Sequence, residues 1–202
     1  MSKVADRYCH LHVHSHFSLL DGVNTIPNMV RLAKDQGMKA LALTDHGNMY
    51  GAIEFHQTCV QEGIKPIVGM EAYITDGSRH DRKREGGRQP HFHLVLLAKN
   101  EAGYRNLCKL SSLAYVEGFY YKPRIDHEIL KAHSEGLIAT SACLAGEINR
   151  ALLHGEAEKA ETCARRYIDI FEPGHFFMEL QDHGLPEQKR IIERAQIGRA
   201  HV

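Results

Sequence analysis

The chain has 202 residues, 43% of them hydrophobic and 25% charged, which is typical of a globular protein with one domain or two small ones. Its 25 Lys and Arg balance its 25 Asp and Glu, so net charge gives no sign of a nucleic-acid or membrane partner. The longest apolar run spans only 94–98 and no apolar signal segment opens the chain, so we expect neither a membrane span nor a secretory leader. Five cysteines without a CxxC pair favour a reduced, cytoplasmic location.

The order of elements predicts the fold class. Short apolar runs predict strands at 8–14, 40–45, 66–74, 93–98, 136–141 and 175–180. Helical spacing fills the segments between them, from Thr25 to Gly37, across 51–62 and across 156–171. Asn100 and Asp126 are predicted N-caps of helices over 101–115 and 127–133. This alternation predicts a mostly parallel α/β fold, either an open sheet or a barrel.

The first predicted strand is rich in histidine, with the sequence C-H-L-H-V-H-S-H. Residues two apart on a strand share a face, so the strand would present His10, His12, His14 and His16 on one side. Two imidazoles at this spacing are a natural chelate for a divalent ion. The alternative is that these histidines are exposed or are satisfied by ordinary hydrogen bonds.

Further ligand types follow at neighbouring strand ends. The strand 40–45 ends in Asp45 and His46, and sites in α/β folds gather at the C-terminal ends of strands. Asp45 is predicted to be either a ligand or an acceptor that fixes an imidazole tautomer. Asp21 lies in a loop near the same end, and Glu71 interrupts an apolar strand, where a carboxylate is costly unless it is paired or bound to metal.

A basic stretch interrupts the alternation at 78–90. It carries five basic and two acidic side chains together with two glycines and a proline. Two interpretations stay open: a solvated hairpin loop, or a mobile arm that contacts phosphates through residues such as Arg82 and Arg84.

Several segments together resemble a known family. The chain contains HLHVHS, LLDG, LALTDHGNMYGAIEF, KPIVGMEAYI, HLVLLAKNEAGYRNL, EGFYYKPRID, GLIATSACLAGEI and HGLPEQ. These segments resemble the PHP (polymerase and histidinol phosphatase) domain, and more narrowly the N-terminal PHP domains of bacterial DNA polymerase III α subunits. The resemblance runs without a break from about Tyr8 to Ala195.

The resemblance implies a fold and a metal site. The fold is a distorted seven-stranded (β/α) barrel that holds up to three divalent metals, whether Zn, Mn or Mg. The implied metal ligands are His12, His14, Asp21, His46, Glu71, His93 and Cys143. Because His93 begins its strand, it reaches the others only if the strands 66–74 and 93–98 pair antiparallel. Cys143 is alternatively a small buried residue, as free cysteines often are.

The resemblance also implies an activity and partners. The expected reaction is 3′–5′ exonucleolytic hydrolysis within a replicative DNA polymerase, with Lys122, Arg124, Arg82 and Arg84 as candidate DNA contacts. Expected partners are DNA, the remaining polymerase domains, a proofreading exonuclease subunit and a sliding clamp. Three alternatives stay open: a non-catalytic platform for that exonuclease subunit, a phosphatase of small monoesters, and, more remotely, an amidohydrolase.

The end of the chain departs from the family. The family uses an additional Asp and His from a late strand, and the sequence stops before that strand. Residues 197–202 back-translate to ATC GGA AGA GCA CAC GTC, which matches a sequencing adapter. We therefore expect a partial PHP domain over 1–196 and a non-native tail over 197–202. The barrel is then expected to be incomplete at the C-terminus, and the fragment to be poorly stable and inactive alone.

Overall fold

A computed structural model of the chain describes residues 8–82 and 91–198. Seven helices and six strands alternate along the described ranges, in the following order: α1 (Ile26–Asp35), β1 (Ala40–Leu43), α2 (Ala52–Glu62), β2 (Lys65–Thr75), β3 (His91–Ala98), α3 (Glu101–Val116), β4 (Arg124–Ile125), α4 (His127–Ala132), β5 (Leu137–Thr140), α5 (Glu147–His154), α6 (Ala157–Ile170), β6 (Phe176–Phe177) and α7 (Pro186–Gly198).

The six strands form one mixed, open sheet. Their order is β1-β2-β3-β5-β6, and β4 pairs with β2 off this path. Three pairs are parallel (β1 with β2, β2 with β4, β5 with β6), whereas β2 with β3 and β3 with β5 are antiparallel. Three of the five pairs are thus parallel, so the predicted mostly parallel sheet is confirmed in part, and β3 is the strand that runs against both of its neighbours. Within the described residues the sheet is open and does not close into a seven-stranded barrel. The antiparallel pairing that His93 requires is confirmed, with Tyr73 opposite His93.

The histidine-rich segment is extended but is not a strand of this sheet. It lies along β1, where the Ala42 amide donates to the His10 carbonyl and the Thr44 amide donates to the Val13 carbonyl. The amide of Val13 donates instead to the hydroxyl of Thr44, at 2.8 Å. Because a side chain takes the place of a carbonyl, the regular ladder predicted for 8–14 does not form.

Strand β2 separates the core from the site. Alternate residues of a strand face opposite sides, and Met70, Ala72 and Ile74 enter the main core beneath α3 and α6. Glu71 and Tyr73 therefore face the other side. A second core, built around α1, α2 and β1, supports the N-terminal half of the sheet.

Helices α1, α3 and α4 begin at the predicted capping residues. The side chain of Asn100 accepts a hydrogen bond from the Gly103 amide, and that of Asp126 accepts one from the Ile129 amide. Thr25 occupies the N-cap of α1 without a side-chain capping bond. Strand β4 and helices α5 and α7 were not predicted. Helix α7 includes the first two residues of the predicted tail 197–202, and residues 199–202 lie outside the described ranges.

Candidate metal centre

Glu71 lies at the centre of a cluster of imidazoles. Its side chain is 1% exposed. Its Oε2 atom lies 3.2 Å from Nε2 of His12, 3.1 Å from Nε2 of His14 and 2.9 Å from Nδ1 of His46. Its other oxygen, Oε1, lies 2.8 Å from Nδ1 of His93. One buried carboxylate thus faces ring nitrogens supplied by the 8–14 segment, by the end of β1 and by β3.

The cluster holds its carboxylate in the ionised form. Burial on its own would raise the pKa of Glu71, but the four imidazoles outweigh it and hold the pKa well below the usual range. Burial would lower the pKa of His12, yet hydrogen bonds to Glu179 and Glu71 raise it to about 10. The centre therefore holds an ionised carboxylate among imidazoles, and His12 must lose its proton to become a ligand.

The ligand atoms converge without satisfying one another. Glu71 Oε2, His46 Nδ1 and His14 Nδ1 are buried and make no hydrogen bond of acceptable geometry, although the first two atoms lie only 2.9 Å apart. Buried polar atoms are normally paired, so unpaired ones that point at each other need a reason. A divalent cation among these atoms would supply it, because imidazoles and a carboxylate are common ligands of such ions.

Three overlapping groups of side chains within the described ranges have ligand atoms within 4.8 Å of one another. They are His12, His14 and Glu71; His14, Asp21 and His46; and His46, Glu71 and His93. Each group offers three ligand atoms, and Glu71, His14 and His46 belong to two groups each. The residues present therefore fit a centre of more than one ion with shared ligands.

Asp21 and Cys143 lie at opposite edges of the cluster. Asp21 Oδ2 is 2.9 Å from His46 Nε2, and its side chain is half-exposed. The sulfur of Cys143 lies 3.5 Å from His93 Nδ1 and 3.6 Å from Glu71 Oε1. Burial and the Glu71 charge raise the pKa of Cys143 to about 12, so the thiol must lose its proton to become a ligand.

Asp45 supports the site from behind. Its carboxylate accepts hydrogen bonds from the amide and hydroxyl of Ser15 and from the hydroxyl of Ser18, at 2.7–2.8 Å. Neither role predicted for Asp45 is therefore seen, because its partners are serines rather than an imidazole or the cluster. These bonds tie the loop that carries Asp21 to the end of β1.

Sequence reasoning missed Glu179, which orients His12. Its Oε1 lies 2.7 Å from His12 Nδ1, and the Thr140 hydroxyl donates to its Oε2 at 2.5 Å. Gln181 also donates to Oε1, at 2.7 Å. A carboxylate that accepts from one ring nitrogen leaves the other free for a metal. The available signal was a carboxylate inside the predicted strand 175–180, the same signal that identified Glu71.

Asn149 holds the turn that carries Cys143. Its side-chain amide donates to the carbonyls of Ala142 and Cys143, at 3.0 and 2.9 Å. Ala142 has a φ of 57°, a left-handed conformation that is unfavourable for alanine. The buried Asn149 amide stabilises this turn, which brings the sulfur to the cluster.

The predicted DNA contacts differ in how far they are buried. Arg124 is only 2% exposed, and its guanidinium donates to the carbonyls of Gly118, Arg79 and Asp81. The prediction that Arg124 contacts DNA was therefore wrong, because the side chain is buried among carbonyls. Lys122 is half-buried, with its ammonium 5.1 Å from the centroid of the Tyr73 ring. Arg82 is exposed, and Arg84 lies outside the described residues.

Comparison with known families agrees with this arrangement. The sequence matches the PHP domain family over residues 10–183, and the chain belongs to that family. Its relatives include the DNA polymerase III subunit alpha of Treponema pallidum, 53% identical over 91% of this chain and 16% of the relative. The corresponding subunit of Thermus aquaticus is 48% identical over 92% of this chain and 15% of the relative. The chain thus spans about one-sixth of the length of these proteins.

A solved structure supports the fold. A protein of Bifidobacterium adolescentis, whose proposed activity is that of a metal-dependent phosphoesterase, superimposes with a TM-score of 0.55 at 15% identity. The match covers 95% of this chain and 84% of the other. In the described ranges, none of the helices has the length and apolar character of a membrane span.

Proposed function

We propose that the chain is part of a bacterial DNA polymerase III α subunit and that its cluster binds divalent metals and hydrolyses phosphodiesters, as a 3′–5′ exonuclease. The similarity to α subunits of two bacteria supports the first part. The second part rests on one observation, the buried Glu71 carboxylate with ring nitrogens of four histidines within 3.2 Å of its oxygens.

The proposed ligands are His12, His14, Asp21, His46, Glu71, His93 and Cys143. Metals bound by them would lower the pKa of a bound water and clamp the phosphate that is attacked. Glu71 joins two of the ligand groups through its two oxygens. Glu179 keeps His12 in one orientation, and Asn149 keeps Cys143 at the edge of the cluster.

The test uses the complete reading frame, recovered by sequencing the source DNA across codon 196. The wild-type protein and Glu71→Gln are given a single strand labelled at its 3′ end and, separately, a primed template. The proposal predicts release of the labelled nucleotide by the wild type only, and primer extension by both. Extension without release by the wild type would contradict the nuclease and favour a platform for a separate exonuclease subunit.

The proposed partners are DNA, the remaining polymerase domains, an exonuclease subunit and a sliding clamp, and the proposed location is the cytoplasm. The similarity to polymerase α subunits supports these proposals. Hydrolysis of a small phosphate monoester, but not of DNA, would favour the phosphatase alternative instead.

A further inference from the structure

The ring of Tyr73 forms one wall of the metal centre. Tyr73 follows Glu71 on the same face of β2, and its ring stacks on that of His46 with centroids 5.7 Å apart. It meets the ring of His93 edge-on at 5.2 Å. The ammonium of Lys122 lies over the Tyr73 ring. The Tyr73 ring therefore contacts two proposed ligands and also the ammonium of Lys122.

The turn that carries Lys122 also carries an exposed tyrosine, Tyr121. Tyr121 has a φ of 60°, which is strained for a residue with a Cβ, and its side chain is 63% exposed. Gly118 allows the close approach that closes this turn, because a Cβ there would collide with the carbonyl of Arg124. The Arg124 guanidinium donates in turn to the Gly118 carbonyl. Strained residues persist only where their surroundings fix them, and they cluster at ligand-binding sites.

A second group of rings borders the same wall. Tyr50 lies four residues after His46, and its hydroxyl is 3.0 Å from that of Tyr115. Tyr115 stacks against Phe119, with centroids 6.1 Å apart. A Cβ on Gly47, between His46 and Tyr50, would lie 2.8 Å from the Pro123 ring and 2.9 Å from the Tyr73 ring, so the segment that leads to Tyr50 packs against Tyr73 and the turn that carries Lys122. Tyr50 and Phe119 are both exposed.

We propose that this aromatic surface, made of Tyr50, Tyr115, Phe119, Tyr121 and Lys122, binds the bases of a single-stranded nucleic acid beside the metal centre. The inference rests on the proposed function, since it describes how a strand would reach the cluster. Every base has a π face that stacks on an aromatic ring, so such a surface tolerates any sequence. A duplex keeps its bases stacked inside, and a single strand does not.

The cations at this surface suit the phosphates of such a strand. Lys122 follows the exposed Tyr121 in the chain, and its ammonium lies 5.1 Å from the centroid of the Tyr73 ring, which contacts two proposed ligands. The Arg124 guanidinium donates to the carbonyl of Asp81 at 2.9 Å, so Arg82, which follows Asp81 and is exposed, lies close to the same turn. A polyanion with unpaired bases matches this combination of rings and cations better than an apolar protein segment does.

Binding is tested on the 202-residue chain by fluorescence anisotropy, with a fluorescein-labelled oligothymidylate of about 12 nucleotides and EDTA present. The test variant combines Phe119→Leu with Tyr121→Asn, because asparagine tolerates the left-handed conformation. Loss of two stacking rings should weaken binding roughly thirtyfold or more. Phe177→Leu is the matched control, because Phe177 is 51% exposed and Phe119 is 50% exposed. Its affinity should equal that of the wild type.

A second readout reports stacking directly. The chain has eight tyrosines and no tryptophan, so base stacking should quench tyrosine emission on titration with unlabelled oligothymidylate. Circular dichroism checks that each variant is folded, and if the double variant is not, the quenching of the wild type decides. Equal affinity of the folded double variant and wild type, or binding without quenching, would overturn the proposal. Wild-type self-association that the double variant abolishes, together with no oligonucleotide binding, would also overturn it and mark a protein interface.

Because no metal is present, this binding does not depend on catalysis. A chain that binds the oligonucleotide but takes up no manganese supports the aromatic surface and contradicts the metal centre. A chain that takes up manganese but binds no oligonucleotide contradicts the aromatic surface alone.

Discussion

The buried carboxylate of Glu147 should make the stability of the chain depend on pH. Glu147 begins α5, next to the turn that carries Cys143, and its side chain is 2% exposed. Tyr167 donates to it at 2.8 Å, and His127 Nε2 lies 3.4 Å away. Burial alone would raise the pKa of Glu147, but hydrogen bonds from His127, Tyr167 and Cys163 outweigh it and lower the pKa to about 2.

The size and sign of the effect follow from this pKa. A shift from 4.5 to about 2 corresponds to ~3 kcal/mol of stability from the ionised carboxylate. Because the pKa is lowered in the folded state, this stability is fully present above pH 4.5 and is lost as the pH falls toward 2. At pH 3 we expect roughly 1 kcal/mol to remain.

Urea unfolding of the wild type and Glu147→Gln measures this difference at both pH values. The variant should be less stable by ~3 kcal/mol at pH 7 and by roughly 1 kcal/mol at pH 3. Glu161→Gln is the control, because Glu161 is exposed and pairs only with Arg165 on the surface, so it should change stability by less than about 1 kcal/mol. A gap between wild type and Glu147→Gln that is the same at both pH values would refute the reasoning.

Three further substitutions probe the site and the core. Glu179→Gln should weaken manganese binding about ten- to a hundredfold in calorimetry, because His12 loses its ionised partner; unchanged affinity would contradict the orienting role. Asn149→Ala should cost ~1–3 kcal/mol in urea unfolding, because the carbonyls of Ala142 and Cys143 each lose a hydrogen bond from a buried amide; an unchanged stability would show that these two bonds do not stabilise the turn. Leu107→Ala should cost ~2–5 kcal/mol in thermal unfolding, because Leu107 is fully buried in α3; a loss below about 1 kcal/mol would contradict the packing described for that helix.

Local patterns in the sequence predicted most elements because each carries its own signal. Asn100 and Asp126 cap the helices that follow them, and five of the six predicted strands exist with shifted ends. Strand β4 was missed because two residues, Arg124 and Ile125, are too few to show a period. The antiparallel pairing of β3 with β5 was not predicted, because pairing direction depends on partners far apart in the chain.

The site was predictable where residue type alone was unusual. A carboxylate within an apolar strand identified Glu71, and histidines two residues apart identified His12 and His14. Asn149 could not be found in this way, because an asparagine near a helix start is common and its role depends on the left-handed Ala142. The burial of Arg124 was equally hidden, because its acceptors are carbonyls, which every residue has.

The central claim is that the cluster around Glu71 binds metal, and uptake of manganese tests it most directly. The 202-residue chain and Glu71→Gln are dialysed against manganese, freed of excess ion and analysed for metal content, with circular dichroism to establish that both are folded. Glu62→Gln, a change at an exposed side chain that pairs with Lys34, is the control. The wild type and the control should retain one or more ions per chain and Glu71→Gln fewer. A folded wild type that retains no manganese, or a Glu71→Gln that retains as much as the wild type, would contradict the account.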